Sequence, residues 1–192
     1  MIPQSTIHAG PVWAGPLGHW TQGRAWRVGL LHKAELSMIL QVTRGQGRLL
    51  LHGARHGLNA NAVVYIPEGT VFACDMSQKS AARMMAFAPV ADFRMPRRPA
   101  LMRLREVGMI RSFAHCIETA MQEASGQDAF VQDALKGHAQ LMIVWLMRAL
   151  ATDAEERAPL TAARRLAHRF FEQLGAKGPG PCLLYTSDAA DD

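Results

Sequence analysis

The hydrophobic pattern of residues 36–72 has a period of two, which is typical of β-strands. Three short apolar runs are separated by glycine or proline, namely Leu36–Thr43, Arg48–Gly53 and Ala62–Ile66. This punctuation predicts antiparallel strands joined by tight turns rather than helices. Gly45 and Gly47 can supply positive φ in a hairpin, and the segment Pro67–Thr70 suits a bend between consecutive strands.

The strand Leu36–Thr43 carries large apolar side chains on both of its predicted faces. One face holds Met38, Leu40 and Val42, and the other holds Ser37, Ile39, Gln41 and Thr43. Two apolar faces are expected where one side of a strand lines a barrel and the other side meets a second layer. Gln41 is a polar exception, and it is either hydrogen-bonded at a strand end or directed at a ligand.

Further strands follow from the same period. We predict an edge strand near Val12–Trp13 and others at Arg24–His32, Ala54–Asn61, Thr70–Asp75 and Ala81–Ala88, with a hairpin at Met76–Ser80. Trp13 and Trp20 either plug the end of the barrel or stack on a ligand. About seven strands are enough to close a small barrel that holds side chains or one small ligand.

These strands resemble the double-stranded β-helix of the cupins. Gly45–Gly47 is similar to the family's strand–Gly-x-Gly–strand element, and Ile66–Phe72 is similar to its Ile-Pro-x-Gly-x-x-His element, with Phe72 in place of the histidine. His32 and Glu35 lie near the other expected ligand segment, but no His-x-His pair is present. Because a metal site needs about three converging nitrogen or oxygen ligands, we predict a barrel with no metal and no cofactor. This favours a sensor over an enzyme.

Prolines between residues 89 and 99 mark a connector, after which the hydrophobic period changes to about 3.6. An apolar stripe from Leu101 to Met121 predicts a helix that Ser125–Gly126 ends. Asp128 is the predicted N-cap of a second helix over residues 129–151.

The second half of this second helix, Leu141–Met147, is apolar on all sides. A helix that is apolar all round is buried on more than one side. We predict that one face packs on the preceding helix and the barrel and that the other forms a homodimer through Leu141, Met142, Trp145 and Ala149. Burial of both faces within one chain is the alternative.

A charged linker at residues 153–159 precedes a third predicted helix, Leu160–Leu174, with Gly175 at its C-cap. Its polar side carries Arg164, Arg165 and Arg169, which are candidates for contacts with DNA phosphates. No later segment covers its wide apolar face, so we expect it to open a further domain.

The composition is that of a soluble globular chain. The 192 residues are 49% hydrophobic and 19% charged, which allows one core and a small second unit. No apolar run approaches the roughly 20 residues of a membrane span, no N-terminal secretion signal is visible, and the three cysteines are widely spaced. We therefore expect a cytoplasmic protein without a membrane partner.

The last residues, 182–192, resemble the translation of a sequencing adapter. We expect an artefact tail on a gene cut short near Pro181. Without Asp188, Asp191 and Asp192, the acidic residues fall from 16 to 13 against 21 Lys and Arg, so the net charge rises from +5 to +8. A basic balance favours an anionic partner such as DNA.

The order of the parts resembles an AraC-family transcription regulator. The expected parts are a cupin-like effector-binding barrel, a helical dimerisation segment, a linker and the first helix of a truncated DNA-binding domain, at residues 1–92, 93–152, 153–159 and 160–181. In that family the barrel binds a small effector, the next helices dimerise and a C-terminal domain carries two helix-turn-helix units. The resemblance thus implies an α+β, mainly β, ligand-responsive DNA-binding regulator that is not an enzyme, here reduced to its sensing and dimerisation part.

Strand alternation places the candidate effector-binding residues at Trp26, His32, Gln41 and Phe72. Two alternatives stay open. A metal-dependent cupin enzyme of the isomerase or dioxygenase type would draw its ligands from His32, Glu35, His52 and His56, whose spacing matches no familiar ligand set. A stand-alone barrel for a small metabolite would differ from the regulator only in the protein that the intact gene encodes beyond Pro181.

Overall fold

The structure, a computed structural model, describes residues 11–20, 29–88, 95–126 and 128–154, and the single positions Leu166, Arg169, Phe170 and Gln173. Its strands are β1 (Val12–Pro16), β2 (His32–Lys33), β3 (Ser37–Arg44), β4 (Gln46–Leu51), β5 (Ala54–Asn59), β6 (Ala62–Ile66), β7 (Val71–Met76), β8 (Ala81–Phe87) and β9 (Ala100–Arg103). Its helices are α1 (Leu17–Trp20), α2 (Val107–Ser125) and α3 (Val131–Ala154).

The strands form two antiparallel sheets that pack face to face. The five-stranded sheet has the order β1-β8-β3-β6-β9, and the four-stranded sheet has the order β2-β7-β4-β5. Helices α2 and α3 cover the outer face of the five-stranded sheet. The predicted fold class, an α+β, mainly β, cupin-like barrel followed by two packed helices, is confirmed.

Alternation along the five-stranded sheet divides its apolar side chains between two cores. On β3, Met38 and Leu40 point between the sheets, whereas Ile39 points at the helices. The inner core, between the sheets, also contains Leu49, Leu51, Leu58, Val64, Ile66, Phe72, Cys74 and Met84. The outer core, between sheet and helices, also contains Val63, Tyr65, Met85, Phe87, Phe113, Ile117, Leu135, Met142 and Leu146. The prediction of two apolar faces on this strand is confirmed.

The prediction of a hairpin at Gly45 is wrong, because β3 and β4 belong to different sheets. The chain crosses between the sheets at Gly45, whose φ is +80° and where a side chain would collide with Ser80. The true hairpin joins β4 to β5 through His52 and Gly53, whose φ values of 47° and 73° suit a type I′ turn.

The predicted bend at Pro67–Thr70 is confirmed. The Thr70 N–H donates to the Pro67 carbonyl at 3.2 Å, and Gly69 has a φ of +82°, as the third position of a type II turn requires. This bend leads from β6 in one sheet to β7 in the other. The next connection, Ser77–Ser80, also crosses between sheets, so the predicted hairpin between β7 and β8 is wrong.

The predicted start of the first long helix is also wrong. Residues 100–103 form β9, which pairs with β6 at the edge of the five-stranded sheet, and α2 begins at Val107. The barrel therefore extends past the predicted boundary at residue 92. The next helix begins at Val131 rather than directly after Asp128, and Phe130 before it has a φ of 65°.

Most of the predicted strand Arg24–His32 and of the third helix, Leu160–Leu174, lies outside the described residues. Of the third helix, Leu166 and Phe170 are described, and both side chains are exposed. Among the described residues, no helix combines the length and the apolar character that crossing a membrane requires.

Candidate functional site: the barrel mouth and the sheet shared with the helices

Two of the four candidate effector residues meet at one end of the barrel. His32 on β2 and Phe72 on β7 are directly paired across the strands, and their ring centroids lie 4.1 Å apart. The ring of Trp20, at the end of α1, has its centroid 6.5 Å from that of His32. We call Trp20, His32 and Phe72 the barrel mouth. The fourth candidate, Trp26, lies outside the described residues.

The hydrogen bonding of His32 fixes which of its nitrogens can meet a ligand. Nδ1 lies 2.8 Å from the Leu30 carbonyl oxygen, so Nδ1 carries the proton and donates it. Nε2 is then an acceptor, and it is buried without a hydrogen-bond partner. Burial lowers the pKa of His32 below its ordinary value, partly offset by the hydrogen bond to Leu30. His32 is therefore neutral near pH 7, with one free acceptor beside two aromatic rings.

Behind the mouth, the inner core is apolar. Met38, Met84 and Leu49 are among its buried side chains, and methionines adapt to irregular shapes. Burial raises the pKa of Cys74, which faces this core, to about 12, so its thiol stays protonated. These surroundings suit an apolar molecule and offer it no charged partner.

The side chains needed for a cupin metal centre do not converge. Among the described residues, no three His, Cys, Asp or Glu side chains are grouped so that they could hold a metal ion. His52 lies in the β4–β5 turn, and Glu35 lies in the loop before β3, where it is exposed. His56 on β5 pairs with Leu49 and so faces the inner core, two strands away from Phe72. The described residues therefore do not fit a three-ligand metal site.

Gln41 lies on the opposite side of its strand from the inner core. It pairs with Val63 and Arg83, shares a face with Ile39, and therefore faces the helices. Its side chain is 2% exposed, and its Oε1 has no hydrogen-bond partner. Gln41 was predicted to contact an effector, which would require it to line the barrel interior. The structure instead places its side chain on the helix side of the sheet.

Two polar contacts tie the five-stranded sheet to the helices, and the first of them is beside Gln41. Arg83 on β8 forms an ion pair with Glu118 on α2. At the sheet edge, the Val12 N–H donates to Gln132 Oε1 of α3 at 3.2 Å. Sequence reasoning missed these contacts, and the only sequence signal for them was an arginine at an otherwise apolar strand position.

The four candidate dimer residues on α3 separate into inward and outward positions. Met142 is fully buried in the outer core, Trp145 packs on Phe113 at a centroid distance of 5.8 Å, and Ala149 is partly buried. Leu141 is 43% exposed. It lies on an apolar strip with Val144 and Met147, which are 38% and 41% exposed. The face open to a second copy is therefore Leu141, Val144 and Met147.

The candidate DNA-contacting arginines lie in the C-terminal region. Arg164 and Arg165 are outside the described residues. Arg169 is described, and its side chain is exposed. Exposure leaves Arg169 accessible to phosphate.

Comparisons with known proteins give structural similarity without sequence similarity. No family model matches the chain, and no curated protein matches it. The apo form of a ToxT variant from Vibrio cholerae has a TM-score of 0.46 at 10% identity over 73% of this chain, which spans 57% of that protein. A putative glyoxylate-induced protein from Pseudomonas aeruginosa has a TM-score of 0.32 at 16% identity, with 38% and 28% of the two chains covered. Oxalate decarboxylase from Bacillus subtilis has a TM-score of 0.28 at 15% identity, with 33% and 18% covered.

Proposed function

We propose that this chain is the sensing and dimerisation part of a ligand-responsive transcription regulator of the AraC type. In this proposal a small effector binds at the barrel mouth, α3 pairs with its copy, and DNA binding belongs to a C-terminal domain that Leu160–Leu174 opens. The protein acts in the cytoplasm and as a sensor rather than an enzyme.

One observation carries the proposal: the five-stranded sheet contacts the inner core on one face and the helices on the other. Leu40 faces the barrel interior, and the next residue, Gln41, faces α2. Because cores are close-packed, an effector that shifts inner-core side chains also shifts the backbone that the helices rest on. A change in barrel occupancy can in this way alter the arrangement of α2 and α3.

The barrel mouth defines the effector by its chemistry. The rings of Trp20, His32 and Phe72 favour a flat apolar or aromatic body. The free acceptor at His32 Nε2 favours a hydroxyl or N–H group on that body, and an apolar inner core disfavours a charged effector. We therefore propose a neutral, largely aromatic effector with one hydrogen-bond donor.

The exposed strip on α3 supplies the proposed dimer contact. Leu141, Val144 and Met147 recur along one side of the helix, and a continuous apolar strip on a soluble chain marks an interaction surface. A second copy presents the same strip, so a two-fold contact buries both.

The test measures assembly and effector binding together. The full chain is examined by light scattering across a concentration series, and a library of neutral aromatic alcohols, phenols and amides is screened by thermal shift. We expect a dimer, and we expect hits to change its dissociation constant by about 5- to 150-fold, the range of ordinary allosteric coupling. His32→Gln should weaken the hits, whereas the matched change His19→Gln on the exposed α1 should not.

Four results would argue against the proposal. A monomer at every concentration removes the dimer. A hit that leaves assembly unchanged favours a stand-alone metabolite-binding barrel, and so does a locus whose reading frame encodes no helix-turn-helix units. Stoichiometric metal in the purified protein, together with turnover of a substrate, would favour the cupin enzyme.

A further inference from the structure

A groove of about 560 Å³ lies on the side of the barrel away from the mouth, where the free edges of the two sheets come together. β9 is the last strand of the five-stranded sheet and β5 is the last strand of the four-stranded sheet. We call this cavity the edge groove. Its apolar lining comprises Ala62, Leu101, Met102, Leu104, Met109 and Ala149, and Gly57 and Asn59 of β5 also line it.

The edge groove also has charged side chains in its lining. Arg103 ends β9, Arg105 follows it, and Glu106 precedes the first residue of α2. All three side chains are exposed. Within the described residues, none of them takes part in an ion pair. The lining therefore carries two guanidinium groups and one carboxylate, a net positive charge beside an apolar floor.

We infer that the edge groove is a second small-molecule site, which binds an organic anion with an apolar body. Its volume lies in the ordinary range for ligand pockets, roughly 300–1,000 Å³. The body would rest on Leu101, Met109 and Ala149, and its carboxylate or sulfonate would bind Arg103 and Arg105, whose planar guanidinium groups match such oxygens in pairs. The inference does not depend on the barrel mouth or on the proposed regulator function.

An occupant of this groove would contact every layer of the molecule. β5 belongs to the four-stranded sheet, β9 to the five-stranded sheet, Met109 to α2 and Ala149 to α3. Binding there would stabilise the contact between the end of the barrel and both helices.

The test uses anilinonaphthalene sulfonate, a fluorescent aromatic anion, and its uncharged relative N-phenylnaphthylamine, both titrated against the full chain. We expect saturable binding of the sulfonate and much weaker binding of the uncharged probe. The double variant R103Q/R105Q should weaken sulfonate binding about tenfold, because it removes two charged contacts, each of which is weakened by its exposure to solvent. The variant Ala149→Phe should block the site by filling it.

Glu106 supplies a test in which the sign of the effect is diagnostic. Its side chain makes no capping hydrogen bond, so Glu106→Gln removes charge without removing a structural contact. This variant should tighten sulfonate binding while R103Q/R105Q weakens it. The matched controls are K33Q/K79Q, at exposed positions on β2 and in the connection between β7 and β8, and Glu68→Gln in an exposed turn. Neither control should change the affinity by more than about twofold, because none of these three residues lines the groove and exposed charges interact weakly at a distance through water and salt.

Two outcomes would overturn the inference. The first is sulfonate binding that survives both R103Q/R105Q and Ala149→Phe, since the probe would then be bound elsewhere. The second is equal binding of the charged and uncharged probes with no response to Glu106→Gln, which would describe an apolar surface without anion recognition. Circular dichroism of each variant confirms that it is folded before it is titrated.

Discussion

Replacing Gln41 with methionine should stabilise the protein. Gln41 is 2% exposed, faces the helix layer from the centre of the five-stranded sheet, and leaves its Oε1 without a partner. A buried polar group that lacks its hydrogen bond costs about 1–3 kcal/mol. Methionine has a similar length, carries no group that needs a partner and adapts to the same space.

The expected gain is about 1–2 kcal/mol in the free energy of unfolding, less than the full cost because the new side chain must fit a packed core. For a domain of this size each kcal/mol raises Tm by about 2–4 °C, so we expect a rise of roughly 2–8 °C. Urea denaturation followed by circular dichroism measures the free energy, and a thermal scan measures Tm.

Thr43 on the same strand provides the matched control. Its Oγ1 donates to the Ala81 carbonyl at 3.0 Å, so Thr43→Val removes a hydrogen bond that is made. That variant should lose about 0.5–1.5 kcal/mol. The reasoning fails if Gln41→Met destabilises by about 1 kcal/mol or more, because the amide would then have a partner, such as a buried water. An unchanged stability with lost effector binding would instead restore Gln41 as an effector contact.

Three further predictions concern the dimer, His32 and the thiols. Leu141→Glu should convert the dimer to a monomer in light scattering with an unchanged circular dichroism spectrum, whereas Met142→Ala should leave assembly intact and lower the free energy of unfolding by about 2–5 kcal/mol, because Met142 is buried inside one chain. Burial lowers the pKa of His32 in the folded state, so unfolding takes up a proton. The contribution of His32 to the free energy of unfolding is therefore fully present above pH 6.5, its unfolded pKa, and is lost as the pH falls from 6.5 toward the lowered folded pKa. Urea titrations at two pH values should show this loss, and His32→Gln should abolish it. Burial raises the pKa of Cys74 to about 12 and of Cys116 to about 11, so mass spectrometry should find both unalkylated by iodoacetamide at about pH 8 until urea unfolds the chain.

The sequence predicted those features that are set within a few residues. The period of two along β3 revealed both of its apolar faces, because side-chain direction on a strand alternates whatever the strand pairs with. Gly69 marked its turn because few other residues adopt a φ of +82° without strain. The sequence indicated His32 and Phe72 as candidates for one site but did not predict that they pair across adjacent strands, since nothing local specifies which strands become neighbours.

The features that sequence reasoning missed depend on distant parts of the chain. β3 and β4 are consecutive and still lie in different sheets, because each finds better partners elsewhere. Leu101 and Leu104 have helical spacing, but the edge of β6 offers free hydrogen-bonding groups, and residues 100–103 pair with it as β9. Met142 and Leu141 are equally apolar, and only the position of the sheet under α3 decides which of them is buried.

The two sheets differ in what covers their outer faces, so a structural change inside the barrel has different consequences on its two sides. The outer face of the four-stranded sheet carries exposed residues such as Arg48 and Asp75, whose ion pair of 3.6 Å is open to solvent and transmits little. The outer face of the five-stranded sheet is buried under α2 and α3, and its Arg83 is tied to Glu118. A ligand that displaces the inner core can be accommodated on the solvent side without moving another element, whereas on the helix side it must move one. Under the proposed function, an effector at the barrel mouth would therefore reach the helices through the five-stranded sheet, which is a reason to look for effector-insensitive variants on β3 and β8 rather than on β4 and β5.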